Sequence, residues 1–166
     1  MDAVRTLLLL RHAKSDYPSG IGDHERPLAP RGVAEAGLAG DWLRANAPAV
    51  DAVLCSTATR TRQTLERTGI DAPAHFVDRI YDATPGIVLA EINAVGDDVA
   101  TLLVIGHEPV MSGLTLGLAG QGSDPAAIAE VESKYPTSAI SLLEVGGSWR
   151  DLQLGGARLA DFHVPR

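Results

Sequence analysis

The chain has 166 residues, 45% of them hydrophobic, 21% charged and 4% aromatic, a globular balance that excludes wholesale disorder and predicts one domain over residues 1–166. Its formal net charge of −7 argues against a general nucleic-acid or anionic-membrane binder, because phosphate backbones are held by clustered Lys and Arg. A small phosphorylated ligand in a local cationic pocket stays open, whereas the single cysteine, Cys55, excludes an intramolecular disulfide or a cysteine-rich zinc site.

Taken in chain order, the first element is an apolar run over residues 6–10, read as a buried strand. The N-terminus ahead of it has an acidic residue and too short an apolar stretch for a signal peptide. No segment reaches the ~20 apolar residues of a membrane helix, so a cytoplasmic location is expected. Residues 16–31 hold three prolines and two glycines and read as a long loop, of the kind that is usually functional in a compact domain. Helical spacing follows over 31–45, then a strand over 52–55 and helices over 58–68 and 87–94. A third strand over 102–105 precedes a helix over 110–118. Residues 119–138 are irregular, with a short helix around 126–132, and the last strand covers 139–145. Gly146-Gly147 then reads as a hairpin turn between two apolar runs.

None of these strands alternates cleanly, which implies burial on both faces. Strands alternating with helices then predict an α/β fold: a three-layer α/β/α arrangement around a mainly parallel sheet.

In such sheets ligands bind beyond the carboxyl ends of the strands. The first strand runs into Arg11 and His12, the second into Ser56 and Arg60, and the third into His107. Three strand ends thus deliver two arginines and two histidines to one edge. A phosphoryl group in transfer spreads charge over three oxygens, so its catalysis is mostly positioning and electrostatic stabilisation. Arginine offers a fixed two-pronged fork for those oxygens. A neutral histidine can attack phosphorus, and nearby positive charge favours the neutral form. Such a set works without a metal or other cofactor.

RHAKS at 11–15, STATRTRQT at 56–64 and GHEP at 106–109 resemble the three signatures of the histidine phosphatase superfamily, also called phosphoglycerate-mutase-like. The Arg-His-Ala-Lys-Ser form and the short chain resemble its bacterial SixA-type phosphohistidine phosphatases. The resemblance implies the phosphoglycerate-mutase-like fold and a nucleophilic His12 that forms a transient phosphohistidine. Arg11, Arg60 and His107 would complete the phosphate pocket, and Ser15 would add a hydroxyl. Phosphate-ester hydrolases of the superfamily place an acid on a loop after the second signature, and Asp82 holds that place in the order. Asp82 reads equally well as the cap of the helix beginning near Pro85.

The remaining candidates have plain structural readings too. Lys14 is either a surface lysine or a flank of the site, and Arg26 either a loop arginine or a substrate contact. Arg62 lies two residues from Arg60 and so does not share its helix face. His24, His75 and His163 read as ordinary residues. His107-Glu108 begins like the zinc motif HExxH, but position 111 is Met111, which ends that reading. No G-x-G-x-x-G follows a strand, so dinucleotide binding has no support.

The expected function is therefore phosphatase action on a phosphohistidine-bearing protein or peptide. One alternative is a small-metabolite phosphomonoesterase with Asp82 as general acid. Another, of a different class, is a phospho-group binding module with little turnover. The physiological substrate and the oligomeric state are not legible in the sequence.

Overall fold

The computed structural model describes residues 4–166. Six strands form one sheet in the order β3-β2-β4-β1-β5-β6. They are β1 (Arg5–Arg11), β2 (Ala52–Ser56), β3 (Ala74–Val77), β4 (Thr101–Gly106), β5 (Ile140–Val145) and β6 (Ala157–His163). Five helices connect or flank them: α1 (Pro30–Asn46), α2 (Thr59–Thr68), α3 (Pro85–Asn93), α4 (Val110–Leu118) and α5 (Pro125–Ser133).

The run of leucines explains the layering. Leu7, Leu8, Leu9 and Leu10 are all fully buried, and side chains alternate between the faces of a strand. Leu7 and Leu9 join one core with Val88 and Ile92 of α3, Met111 and Leu114 of α4 and Val131 of α5. Leu8 and Leu10 join a second core with Ala39 and Leu43 of α1. β1 is thus sandwiched between two helical layers, the expected three-layer α/β/α fold.

β1, β2, β3 and β4 pair in parallel, whereas β5 pairs antiparallel with both β1 and β6. The sheet is therefore mixed, with its parallel half on the β3 side. Two expectations change in detail. β3 had no sequence signal, because Ala74–Val77 is short and lies at the sheet edge, with His75 and Phe76 exposed and the residues on either side of them only half-buried. The Gly146-Gly147 turn is instead the start of a connection running to residue 156, inside which Trp149 is fully buried. Its indole N–H donates to the Val99 carbonyl at 2.8 Å, so that connection is anchored in the core.

The 16–31 segment is only partly a loop, because α1 begins at Pro30, a residue preorganised for the first helical turn. Ser15 and Leu28 form an isolated antiparallel bridge, and Asp16 N–H donates to Pro27 O at 2.8 Å. A short 3-10 turn over Asp23–Glu25 occupies the tip. Among the described residues, no helix is long and apolar enough to cross a membrane.

Candidate active site

Register brings the motif residues together. Arg11 stands opposite Gly106 across the β1–β4 pair, and Cys55 of β2 stands opposite Ile105. Because these three strands are parallel, the residues that follow them emerge at one edge. His12 N–H donates to the Gly106 carbonyl at 3.0 Å, which ties the first signature to the third. The His12 and His107 rings lie 5.3 Å apart between centroids.

A polar cavity of about 220 Å³ opens there, lined by Arg11, His12, Lys14, Ser15, Tyr17, Arg26, Arg60, His107, Glu108 and Thr137. A larger groove of about 490 Å³ lies beside the starts of β2 and β4 and includes Asp51, Glu91 and Asp98 but no arginine or lysine. An anion needs cationic partners, so the smaller cavity is the candidate site.

The His12 ring is held in one tautomer. Its Nδ1 lies 2.7 Å from the Ala13 carbonyl oxygen; a carbonyl can only accept, so Nδ1 carries the hydrogen and Nε2 keeps its lone pair. Burial, reinforced by His107, Arg60 and Arg11, pulls the pKa of His12 down to about 3, which leaves the ring neutral at pH 7. Ala13 N–H in turn donates to Thr64 Oγ1 at 2.9 Å, so α2 helps to fix the backbone that carries the ring.

His107 Nε2 is 2.8 Å from Ser56 Oγ, while its buried Nδ1 has no protein partner. Burial first, then Arg60, lowers its pKa to about 4. The Nε of Arg11 is likewise buried without a hydrogen-bond partner among the described residues. The Arg11 Nη1 donates to the Tyr135 carbonyl at 2.8 Å, which sets the direction of its guanidinium. Burial lowers the pKa of Arg11 and the Glu108 charge opposes this; an arginine so placed still stays charged.

Arg60 is only 6% exposed. Its Nη1 donates to the Asp23 carbonyl at 2.7 Å and its Nη2 to the Asp23 carboxylate at 3.1 Å. Arg62 turns away, donating to Thr57 O at 2.8 Å and lying over the Phe76 ring, as the helix spacing requires. Arg26 reaches back to the site: its Nη1 donates to Ser15 Oγ at 2.9 Å, its Nε to Asp23 Oδ1 at 3.0 Å, and its guanidinium lies over the Tyr17 ring. Lys14, Ser15 and Arg26 all line the cavity, so Lys14 and Arg26, the two cations that also had a surface reading, both face it in the structure.

Asp82 does not line this cavity. It is exposed, with a positive φ of 56°. The capping alternative is corrected outright: the cap of α3 is Thr84, whose side chain accepts from Ile87 N–H at 3.2 Å. Thr84 sits directly before Pro85, where the cap geometry demands it; Asp82 lies too far upstream.

Four participants were missed by the sequence reading. Tyr17, Glu108 and Thr137 line the cavity, and Asp23 is a hub that accepts from Tyr81 Oη at 2.6 Å as well as from Arg60 and Arg26. The Tyr81 hydrogen bond, with the two arginines, holds the Asp23 pKa at about 2. His24, read as ordinary, bonds Thr57 Oγ1 at 3.0 Å and packs edge-on against Tyr81. Glu108 lay inside a quoted motif and could have been flagged; Asp23 had no local signal. Among the described residues, no group of three or more His, Cys, Asp or Glu is placed to hold a metal ion.

Comparison with known proteins identifies the family. The family model of the histidine phosphatase superfamily (branch 1) matches residues 7–88. The chain is 63% identical over 158 residues to the uncharacterized protein Rv1276c of Mycobacterium tuberculosis, covering 95% of this chain and 100% of that one. It is 30% identical over 142 residues to the phosphohistidine phosphatase SixA of Escherichia coli, covering 81% and 82% respectively. A Nakamurella multipartitia structure provisionally assigned as SixA superposes with a TM-score of 0.90 at 40% identity, covering 98% of this chain and 97% of the other. The protein histidine phosphatase SixA complexed with tungstate superposes with a TM-score of 0.78 at 25% identity, covering 96% and 97%. On these grounds the chain is a phosphatase and belongs to the histidine phosphatase superfamily, on its SixA-like side.

Proposed function

We propose that this phosphatase hydrolyses phosphohistidine on a protein or peptide by way of a covalent intermediate on His12. The observation that carries the reading is the His12 tautomer: Nδ1–H is tied to Ala13 O, so the lone pair of Nε2 is available in a cavity lined by arginines.

In the first step Nε2 attacks phosphorus, the P–N bond of the substrate breaks, and its electron pair stays on the leaving imidazole. In the second, water adds to phosphorus and the Nε2–P pair returns to His12, releasing phosphate. Arg11, Arg60, Arg26 and Lys14 neutralise the equatorial oxygens, and Ser15 donates to one of them. His107 takes up a proton as the phosphoryl dianion enters, because the added negative charge outweighs the cost of burial. No metal or cofactor enters either step. The similarity to SixA supports the choice of substrate, and so does the position of Asp82 outside the cavity, since an alkoxide leaving group needs an acid more than imidazole does.

Trapping tests the reading. Brief incubation with a phosphohistidine peptide labelled on phosphorus leaves an acid-labile phosphoenzyme on the wild type and none on His12→Ala. Rates on phosphohistidine peptide, phosphoserine peptide and small sugar phosphates then decide the substrate class. Faster turnover of sugar phosphates favours the metabolite phosphomonoesterase with Asp82 as acid, and binding without turnover on any of them favours the phospho-group binding module.

A further inference from the structure

Among the described residues, Glu108 is the one carboxylate that lines the cavity, amid cations that would each prefer phosphate there. Its placement is fixed: Oε1 accepts from Ser112 N–H and Oε2 from the Ser112 hydroxyl at 2.7 Å, at the start of α4. Each carboxylate oxygen keeps a second lone pair for a further donor. A negative charge in a phosphate pocket weakens anion binding, so its position calls for a gain elsewhere.

The leaving group supplies that gain. When the P–N bond of phosphohistidine breaks, the electron pair stays on the ring nitrogen. If the other ring nitrogen carries a proton, the ring departs as neutral imidazole; if it does not, the ring must depart as the far more basic imidazolate. The reactive substrate is thus a phosphorylated imidazolium. A pocket built from Arg11, Arg60, Arg26 and Lys14 opposes that cation. A fixed carboxylate offsets part of that opposition and, among the described residues, supplies the one negatively charged acceptor in the cavity lining.

We propose that Glu108 accepts the N–H of the distal nitrogen of the substrate imidazolium, holding the ring protonated while phosphorus is transferred to His12. This makes Glu108 a determinant of selectivity for phosphoramidates over phosphate esters, whose leaving oxygen has no N–H to offer. The inference rests on the phosphohistidine reading above. Of the groups facing Glu108, Arg11 at the end of β1 and Tyr135 ahead of β5 interact with it electrostatically, while Arg60 of α2 and His107 share the same cavity. An arginine side chain keeps its charge over the working range, so the neighbouring guanidiniums do not account for a rate change between pH 6 and 8.

The test compares wild type, Glu108→Gln and Ser112→Ala from pH 6 to 8, using a phosphohistidine peptide and p-nitrophenyl phosphate. The readout is the ratio of kcat/KM for the peptide to kcat/KM for the ester. Glu108→Gln keeps an oxygen for the Ser112 N–H, so α4 retains its first turn. The expected result is a fall in that ratio of about tenfold at pH 8, the scale of one lost hydrogen bond to a charged group, with a smaller fall at pH 6 where the free ring is already protonated. Ser112→Ala keeps the ratio near the wild-type value, because the backbone N–H still holds Oε1. An unchanged ratio in Glu108→Gln, or the same fall in Ser112→Ala, overturns the role of Glu108 while leaving the phosphohistidine reading intact. A wild type that cleaves the ester but not the peptide overturns both.

Discussion

Asp23 and Arg60 stand 37 residues apart in the chain, yet Asp23 engages both terminal nitrogens of the Arg60 guanidinium, at 2.7 Å through its carbonyl and 3.1 Å through its carboxylate. The same carboxylate accepts from Arg26 and from Tyr81. One exposed loop residue therefore aims two cavity cations from different elements, and a guanidinium already aimed loses less freedom when phosphate arrives.

Asp23→Ala should for that reason lower kcat/KM for any phosphoryl substrate by about tenfold, the order expected when catalytic groups lose their fixed geometry. Steady-state kinetics at pH 7 check it. Tyr81→Phe, which removes one donor and leaves both arginines attached, should lose less. Acidity gives a second check. The Asp23 pKa is lowered to about 2, so its ion pairs contribute stability above the ordinary carboxylate pKa of about 3.9, and this is lost only as pH falls toward 2.

Acid sensitivity at milder pH should instead come from the histidines. His12 and His107 titrate at about 3 and about 4 in the folded protein, against about 6.5 in the unfolded chain. Between those values the unfolded state binds protons that the native state refuses, so stability falls as pH drops from about 6.5 toward 4. Each histidine contributes a slope of about 1.4 kcal/mol per pH unit across the steep part of that window. Urea denaturation of the ligand-free protein at pH 7, 6 and 5 measures it, and His12→Asn with His107→Asn should flatten the dependence.

Thr84 and Asp82 should separate cleanly. Thr84→Ala removes the acceptor at the start of α3 and should cost about 1 kcal/mol of stability, read from a denaturation midpoint. Asp82→Asn should change neither the midpoint nor the turnover of phosphohistidine peptide, since its side chain is exposed and outside the cavity. A selective loss of phosphate-ester cleavage in Asp82→Asn would instead restore it as an acid.

Gly32 couples the helical layer to the site. A Cβ at this position would lie 2.0 Å from the Lys14 carbonyl oxygen, and Lys14 O also accepts from Ala29 N–H at 2.9 Å. Gly32→Ala must push α1 away from the segment that carries His12 and Lys14. We expect a stability loss of about 1–3 kcal/mol from overpacking and a larger drop in activity than a surface Gly146→Ala change, which meets nothing within 4 Å.

Much of the architecture was legible from local pattern alone. Buried runs such as Leu7–Leu10 have no choice but to form a strand covered on both faces, and the helices over 110–118 and near 126–132 follow from their spacing. The three strand ends likewise announced Arg11, His12, Arg60 and His107, because parallel strands must release their following residues on one side. What escaped was weakly patterned or non-local. The edge strand β3 buries too little to leave a signal, and a polar residue such as Asp23 looks the same whether it faces water or two arginines.

The sequence by itself determined the sheet core, the order of the helices and the set of side chains at the open edge, since burial and periodicity are properties of short segments. Only the tertiary structure decided which ring nitrogen of His12 carries the hydrogen, that Arg26 and Lys14 face the cavity while Asp82 does not, and that Glu108 stands among the cations. Those are questions of orientation: they depend on the Ala13 carbonyl, on a loop folded back through the Ser15–Leu28 bridge, and on the Ser112 donors of α4. Distances between residues remote in sequence set them, and no local pattern encodes such distances.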